Sequence, residues 1–536
     1  MATATAILSM LGEGVSPRNS AARIFRHQPV LAWTLQRLAQ ARQIGEVKIL
    51  CWDDQREAVE KLAEKQGAQV VVKAPRAPIA PLDRITAAQR WSDGWRGGLQ
   101  GTCHFDQGFH AEFIREAMAG GDGESLILLV NPSSALVDPQ LIDRMVEHAQ
   151  GHMHREFFFT QAAPGLAAVA LRTGLLERLA KAATHPGRLL SYSPDTPGLD
   201  PITNDMCVPV PPAIARTLHR FALDSDRQIR RLTSATAELN GQLVTSDAER
   251  IVEMLAGHEE SHAHPREVVL ELTTRRASRP IFSPVTHLDF DRADISIERI
   301  REILKQLEEI DDLRLTLAGV GDPLLHPRFA EILKLIGEAG IPAVHVETDL
   351  LELSEEALAA MGDAKVDVLT VHLPAASASM YGRVMGTDRY GRVLENLKRV
   401  LSERRALPLV VPTFTKCQEN LAEMEAWYDH WLRVLGTAVI VGPSDYAGQI
   451  PDHAAADMSP PRRRPCARLG SRMTVHSDGA IPSCEVDVLS KQSMGHVEQG
   501  VSKSWRERLG QLRDEHASNC LESRPLCTAC RDWHRP

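Results

Sequence analysis

Between residues 268 and 442 the sequence alternates short apolar runs with amphipathic stretches, and no other feature narrows the fold so far. The runs VVLELTT from Val268, LRLTLA from Leu313, AVHVET from Ala343, VDVLTVHL from Val366, LPLVVPTF from Leu407 and TAVIVG from Thr437 read as six strands. Between the first two, Ser296 precedes Ile297, Ile300, Ile303, Leu304 and Leu307, the stripe expected of an N-capped helix packed on a sheet. Repeated strand–helix units build a parallel sheet, and six suit a partial (β/α)6 barrel with its chemistry at the C-terminal strand ends. The expected class is therefore α/β.

Cysteine placement adds a second constraint. Five of the nine cysteines, Cys466, Cys484, Cys520, Cys527 and Cys530, crowd the C-terminal end. Gly479 lies before Cys484, so a tight turn can return that thiol beside Cys466, and LCTAC places two more sulfurs on one side of a turn. Four thiolates suit zinc or an iron–sulfur cluster alike. With five thiols for four places, Cys520 is either spare or part of a less simple site.

The spacing CARLGSRMTVHSDGAIPSC, the Trp-containing VSKSWRERLGQLRDEH and the final CTACRDWH together resemble the SPASM domain that follows the barrel in many radical S-adenosylmethionine (SAM) enzymes. That resemblance implies one auxiliary four-iron four-sulfur cluster on Cys466, Cys484, Cys527 and Cys530, with Cys520 as a further candidate and zinc as the alternative. AGVGDPLLHPRF is similar to the glycine-rich turn after the second strand of that family, which implies that Gly319, Gly321, Asp322 and Pro323 meet SAM or another nucleoside. DVLTVHLPAASASMYGRVMG resembles the fourth-strand segment. The likeness covers residues 266 to 536.

One departure stands against it. The family's first strand is followed by CxxxCxxC, but LELTTRRASRPIFSP puts Arg276, Pro280 and Ser283 at those places. None replaces a thiolate on iron: Arg is a cation, Pro has no side-chain donor, and a Ser hydroxyl is hard and poorly acidic. Cys51, Cys103, Cys207 and Cys417 are too scattered to substitute. Ordinary radical initiation is not expected, and the chain resembles the spiro-SPASM proteins.

Residues 1–225 read as a separate α/β domain. ATAILSML, the loop GEGVSPRNSAARIFRHQPVL, a helix, VKILCWDD and LVNPSSALVDPQLID resemble the nucleotidyltransferase fold of sugar-activating cytidylyltransferases. The resemblance implies phosphate binding by Arg18, Arg23 and Arg26, and Ser133 aligns with the family's metal-binding aspartate. Asp53, Asp54 and Asp138 remain as candidate magnesium ligands or as turn and cap residues. The stretch RWSDGWRGGLQGTCHFD suits either phosphate, through Arg96 and its glycines, or a loop anchored by Trp91 and Trp95; its His104 reads as a hydrogen-bonded loop residue.

Residues 226–265 read as a helical linker ending in His258, His262 and His264, residues 266–447 as the barrel and residues 448–536 as the cysteine domain. Arg462, Arg463 and Arg464 at the last junction read as a solvated face. A net charge of -9 argues against a nucleic-acid partner. No apolar run reaches membrane-spanning length, MATATAILSMLGEG lacks a signal-peptide pattern, and unpaired thiols suit a cytoplasmic setting. The whole reads as an iron–sulfur protein with a degenerate barrel, a binding or assembly component in a modification or surface-sugar pathway beside a partner enzyme. A nucleotide or nucleotide-sugar is the expected small ligand. An active nucleotidyl or sugar transferase, an unusual SAM-dependent enzyme and a zinc-stabilised scaffold are the alternatives, so whether it is an enzyme stays open.

Overall fold

The computed structural model describes residues 4–73, 76–118, 123–256, 258, 263–403 and 406–535. The chain divides into two compact units, Met1–Ser261 and His262–Pro536.

The first unit is built on a six-stranded sheet. Its parallel part comprises β1 (Ala4–Ser9), β2 (Ile44–Trp52), β3 (Gln69–Lys73) and β4 (Leu126–Val130), in the order β3-β2-β1-β4. Two antiparallel strands, β5 (Phe157–Phe158) and β6 (Val169–Arg172), complete it with β6 against β4. Each central strand feeds two apolar layers alternately. Leu8, Ile49 and Leu128 enter one cluster, while Ile7, Leu50 and Ile127 enter the other, as a sheet covered on both faces requires.

The segment read as a linker belongs to this unit. Helices Asp226–Ala235 and Ala248–Ala256 bury Leu232, Ala235, Ile251, Val252 and Leu255 in a third apolar cluster with Phe25, Trp33, Leu136 and Phe221. Between them, the buried Arg37 guanidinium donates to the carbonyls of Val137 at 2.6 Å, Ser246 at 2.7 Å and Val244 at 3.2 Å, and to that of Leu243. A hinge would leave those carbonyls to water. Here they are held by an arginine whose pKa burial lowers to about 10. His262, one of the three histidines noted above, lies outside the described residues.

The second unit carries a seven-stranded parallel sheet. The six expected strands are present as β7 (Glu267–Leu270), β8 (Arg314–Leu317), β9 (Ala343–Thr348), β10 (Val368–His372), β11 (Leu409–Thr415) and β12 (Val439–Val441), each paired with its sequence neighbour. Ser296 caps helix Ile297–Leu307 by accepting the Arg299 N–H at 3.2 Å, and the predicted apolar stripe is buried. The seventh strand, β13 (Arg472–Val475), comes from the cysteine-rich segment and pairs with β7. Residues expected to form a separate small domain thus extend the barrel sheet and share its core, which includes Met473, Val475, Ile481 and Trp505. No helix among the described residues is long and apolar enough to cross a membrane.

Candidate functional site

The second sheet treats its two faces differently. Val268, Leu270, Leu315, Leu317, Val346, Leu369, Val371 and Phe414 point to the apolar core under the helices. The intervening residues, Glu267, Glu271, Thr316, Glu347, His372, Thr415, Arg472, Thr474 and His476, line a cavity of about 650 Å³. A purely structural barrel fills its interior with layers of branched apolar side chains. This interior mixes charged side chains with apolar ones such as Val269, Phe282 and Ile440 and is open, of a size that takes a small molecule.

Its charges are paired across strands. Arg472 bonds Glu267 at 3.1 Å and Glu485 at 3.2 Å, Arg468 bonds Glu485 at 2.7 Å, and Arg292 bonds Glu271 at 2.9 Å. At the strand ends Arg276 grips Asp349 with two N–H groups, its Nε at 2.8 Å, and Ser278 donates to the same carboxylate. His372 Nδ1 lies 3.2 Å from Asp349, and its Nε2 lies 3.7 Å from Glu347. Burial alone would raise both carboxylates, but the cations reverse the direction: Glu347 is held at about 2 and Asp349 further below the usual carboxylate range. Burial opposes the charged form of His372 too, yet its bonds to Asp349 and Glu347 push it up to about 9. Asp322, buried and facing the Asp349 charge, is pushed up to about 6.

Arg276, first of the three residues at the expected cysteine positions, is therefore the cation of a buried ion pair. Ser283 lines the cavity with its hydroxyl buried and without a partner among the described residues, and no cysteine is among the described residues of the lining. These residues do not fit an initiating cluster, since they bring a cation, a pyrrolidine ring without a donor atom and a neutral hydroxyl where iron needs thiolates.

Packing accounts for the glycine-rich turn. A Cβ on Gly321 would stand 2.3 Å from the Thr273 carbonyl oxygen, and one on Gly319 would stand 2.7 Å from Glu271 Cγ. Asp322 accepts the N–H groups of Leu324 and Asp349, each at 3.0 Å, and the Thr348 hydroxyl at 2.8 Å, while Pro323 opens a short 3-10 turn. Gly319 and Val320 nonetheless face the cavity.

The thiols converge from three places. Cys466 precedes the 3-10 turn Ala467–Gly470 that leads into β13, and Cys484 follows the strand Ala480–Pro482 after a reversal at Gly479, whose φ is 90°. Cys527 sits in the short helix Pro525–Ala529 and Cys530 caps it. The four act on one another electrostatically: Cys484 with Cys466 and Cys527, Cys527 with Cys530 and Cys466, and Cys530 with Cys466. Burial first, then this crowding, raises Cys484, Cys530 and Cys527, the last to about 11. A buried thiol set that resists ionisation gains from a bound cationic centre. Asp532 N–H donates to Cys530 Sγ at 3.3 Å, a bond that favours thiolate. Cys520 is exposed. Among the described residues no three His, Cys, Asp or Glu side chains gather closely enough to hold a single metal ion, so a lone zinc draws no support.

In the first unit the loop arginines find partners within the chain. Arg23 is buried against Asp226 at 2.8 Å and Ser16 Oγ at 2.6 Å, Arg18 pairs with Asp226 at 3.2 Å, and Arg26 donates to the Thr236 carbonyl. Their charge ties the loop to the helix read as a linker. Ser133 is buried on Asn131, and Asp138 caps helix Pro139–Gly151 while also accepting the Ala248 N–H at 2.8 Å. Asp54 pairs with Arg76 and Arg96 with Asp200, while Trp95 stacks on Phe159. His104 is half-buried beside Asn131, and desolvation drops it to about 3.

Sequence reasoning missed the Arg276–Asp349–His372–Glu347 network. A signal was present: polar residues recur with strand spacing, Glu267 in β7 and Glu271 just after it, and Arg472 and Thr474 in the edge strand β13 beside it with His476 just after.

Against known proteins, residues 282–424, about a quarter of the chain, match the model of the Radical SAM superfamily. An uncharacterised protein of Treponema pallidum is 24% identical over 323 residues, 57% of this chain and 86% of its own. A tungsten-containing aldehyde ferredoxin oxidoreductase cofactor-modifying protein of Pyrococcus furiosus is 23% identical over 136 residues, 25% of this chain and 38% of its own. Among solved structures, Streptococcus suis SuiB bound to S-adenosylmethionine matches with a TM-score of 0.41 at 14% identity, covering 57% of this chain and 85% of that one.

Proposed function

We propose that this protein is an iron–sulfur protein built on a radical SAM domain that does not initiate radicals, and that it acts as a binding or assembly component beside a catalytic partner. The observation that carries the reading is the buried Arg276–Asp349 pair, with Ser278 and His372 on the same carboxylate, at the strand ends where the resemblance puts an iron-binding motif. An ion pair in that position supplies structure without redox chemistry. Cys466, Cys484, Cys527 and Cys530 are the proposed ligands of a single 4Fe–4S cluster. Their mutual electrostatic influence supports one shared group. Bound there, the cluster would supply a one-electron couple and lock the C-terminal segment to the barrel sheet.

The cavity is the proposed ligand chamber. Its volume suits a nucleoside-sized molecule, SAM included, with Gly319 and Val320 in its wall. Anaerobically purified protein should contain iron and acid-labile sulfide in roughly equal amounts. Reduced and mixed with SAM, it should release no 5′-deoxyadenosine above a protein-free control. Colourless protein with one zinc per chain would defeat the cluster assignment, and sustained 5′-deoxyadenosine release would defeat the non-initiating barrel.

A further inference from the structure

Beside the four thiols, two buried N–H groups have no acceptor among the described residues. Arg463 does not share the solvated face expected of the Arg462–Arg464 run. It folds back, donating to the carbonyls of Cys527 at 2.6 Å and Cys530 at 3.5 Å, with its guanidinium 5.9 Å from the Trp533 ring centre. Its Nε is buried with no partner among the described residues. His516, also buried, accepts the Cys466 N–H on Nδ1 at 3.4 Å. The ring hydrogen is then on Nε2, which is buried and without a partner as well. Arg463 acts electrostatically on both Cys527 and His516, so the two donors share one neighbourhood with the thiols.

A buried N–H without an acceptor is destabilising, and two around one set of thiols point to an anionic group rich in acceptors. Four thiolates and the sulfides they enclose are such a group. We infer that Arg463 Nε and His516 Nε2 donate hydrogen bonds to sulfurs of the cluster held by Cys466, Cys484, Cys527 and Cys530, and thereby set its reduction potential. The inference rests on the iron–sulfur reading. Donors to sulfur stabilise the more negative, reduced state, so removing either one lowers the potential. The two residues are positioning groups and transfer no atoms.

The test compares wild type, His516→Phe, His516→Gln and Arg463→Met, each with iron and sulfide contents measured after anaerobic reconstitution. The expected result is full iron content, a lowered potential in His516→Phe and Arg463→Met, and a potential near wild type in His516→Gln, which keeps an N–H donor. Iron–sulfur vibrational bands of wild type should shift in D2O, and the His516→Phe bands should shift less. A merely structural role would move thermal stability and leave potential and isotope shift alone. Iron-loaded variants with wild-type potentials would overturn the inference while leaving the cluster intact, whereas wild type without iron would overturn the cluster reading itself. Should His516→Phe fail to fold, an absent D2O shift in wild type still decides against the donors.

Discussion

In the Met1–Ser261 unit, consecutive residues of the central strands serve two apolar layers, Leu128 and Val130 in one and Ile127 and Leu129 in the other. In the His262–Pro536 unit the same parallel architecture keeps one layer apolar and turns Glu267, Glu347, His372 and Arg472 into a cavity. Burying charge is costly unless each group is paired. The second unit therefore carries a cross-strand network that the first does not need. The contrast also separates two kinds of arginine. Arg37 and Arg23 in the first unit stitch loops to the core, whereas Arg276 and Arg472 in the second line a ligand-sized space.

The contrast can be broken most forcefully at Asp349. Asp349→Ala leaves Arg276 and His372 without their shared carboxylate and should destabilise the barrel by about 3–5 kcal/mol. Arg276→Met combined with Asp349→Leu should recover most of that loss. Hydrogen exchange in β7 to β10 would report it locally, as a two-unit chain has no single unfolding transition. If Asp349→Ala exchanges like wild type, the network is not what holds those strands.

Leu128→Ala in the first unit should cost about 3 kcal/mol by leaving a cavity, with protection lost in β1, β2 and β4. No charge should alter that cost. A strong dependence on pH there would erase the distinction between the sheets.

The pH response of the second unit follows from His372. Its folded pKa of about 9 lies above the ordinary value of 6.5, so the folded form holds the proton more tightly and the stabilisation is complete below pH 6.5. As pH rises from 6.5 through 9 the contribution is lost, about 3 kcal/mol in all. Glu347, held at about 2, acts oppositely: its contribution is present above the unfolded value and lost as pH falls toward 2. Exchange protection of β9 and β10 should fall between pH 6.5 and 9 and should stay flat in His372→Gln.

The smallest effect belongs to Arg18. Half exposed and paired with Asp226, it should cost about 0.5 kcal/mol or less when replaced by Ala, fading with salt. Tight nucleotide binding lost in Arg18→Ala would restore the phosphate role and weaken the view of the first unit as a structural one.

The sequence by itself determined whatever depends on neighbours along the chain. The six strands, the Ser296 cap with its apolar stripe, the positive φ at Gly479 and the turn that pairs Cys527 with Cys530 were all legible, because periodicity, capping and turn chemistry act within a few residues. Tertiary structure decided the rest. That β13 would join the barrel sheet, that residues 226–256 would pack on the first unit, that Asp349 would neutralise an arginine 73 positions earlier and that His516 would meet Cys466 across 50 residues are matters of long-range pairing. Local propensity is silent on these contacts, since their free energy exists only once burial has removed water and left each charge or N–H one nearby partner to find.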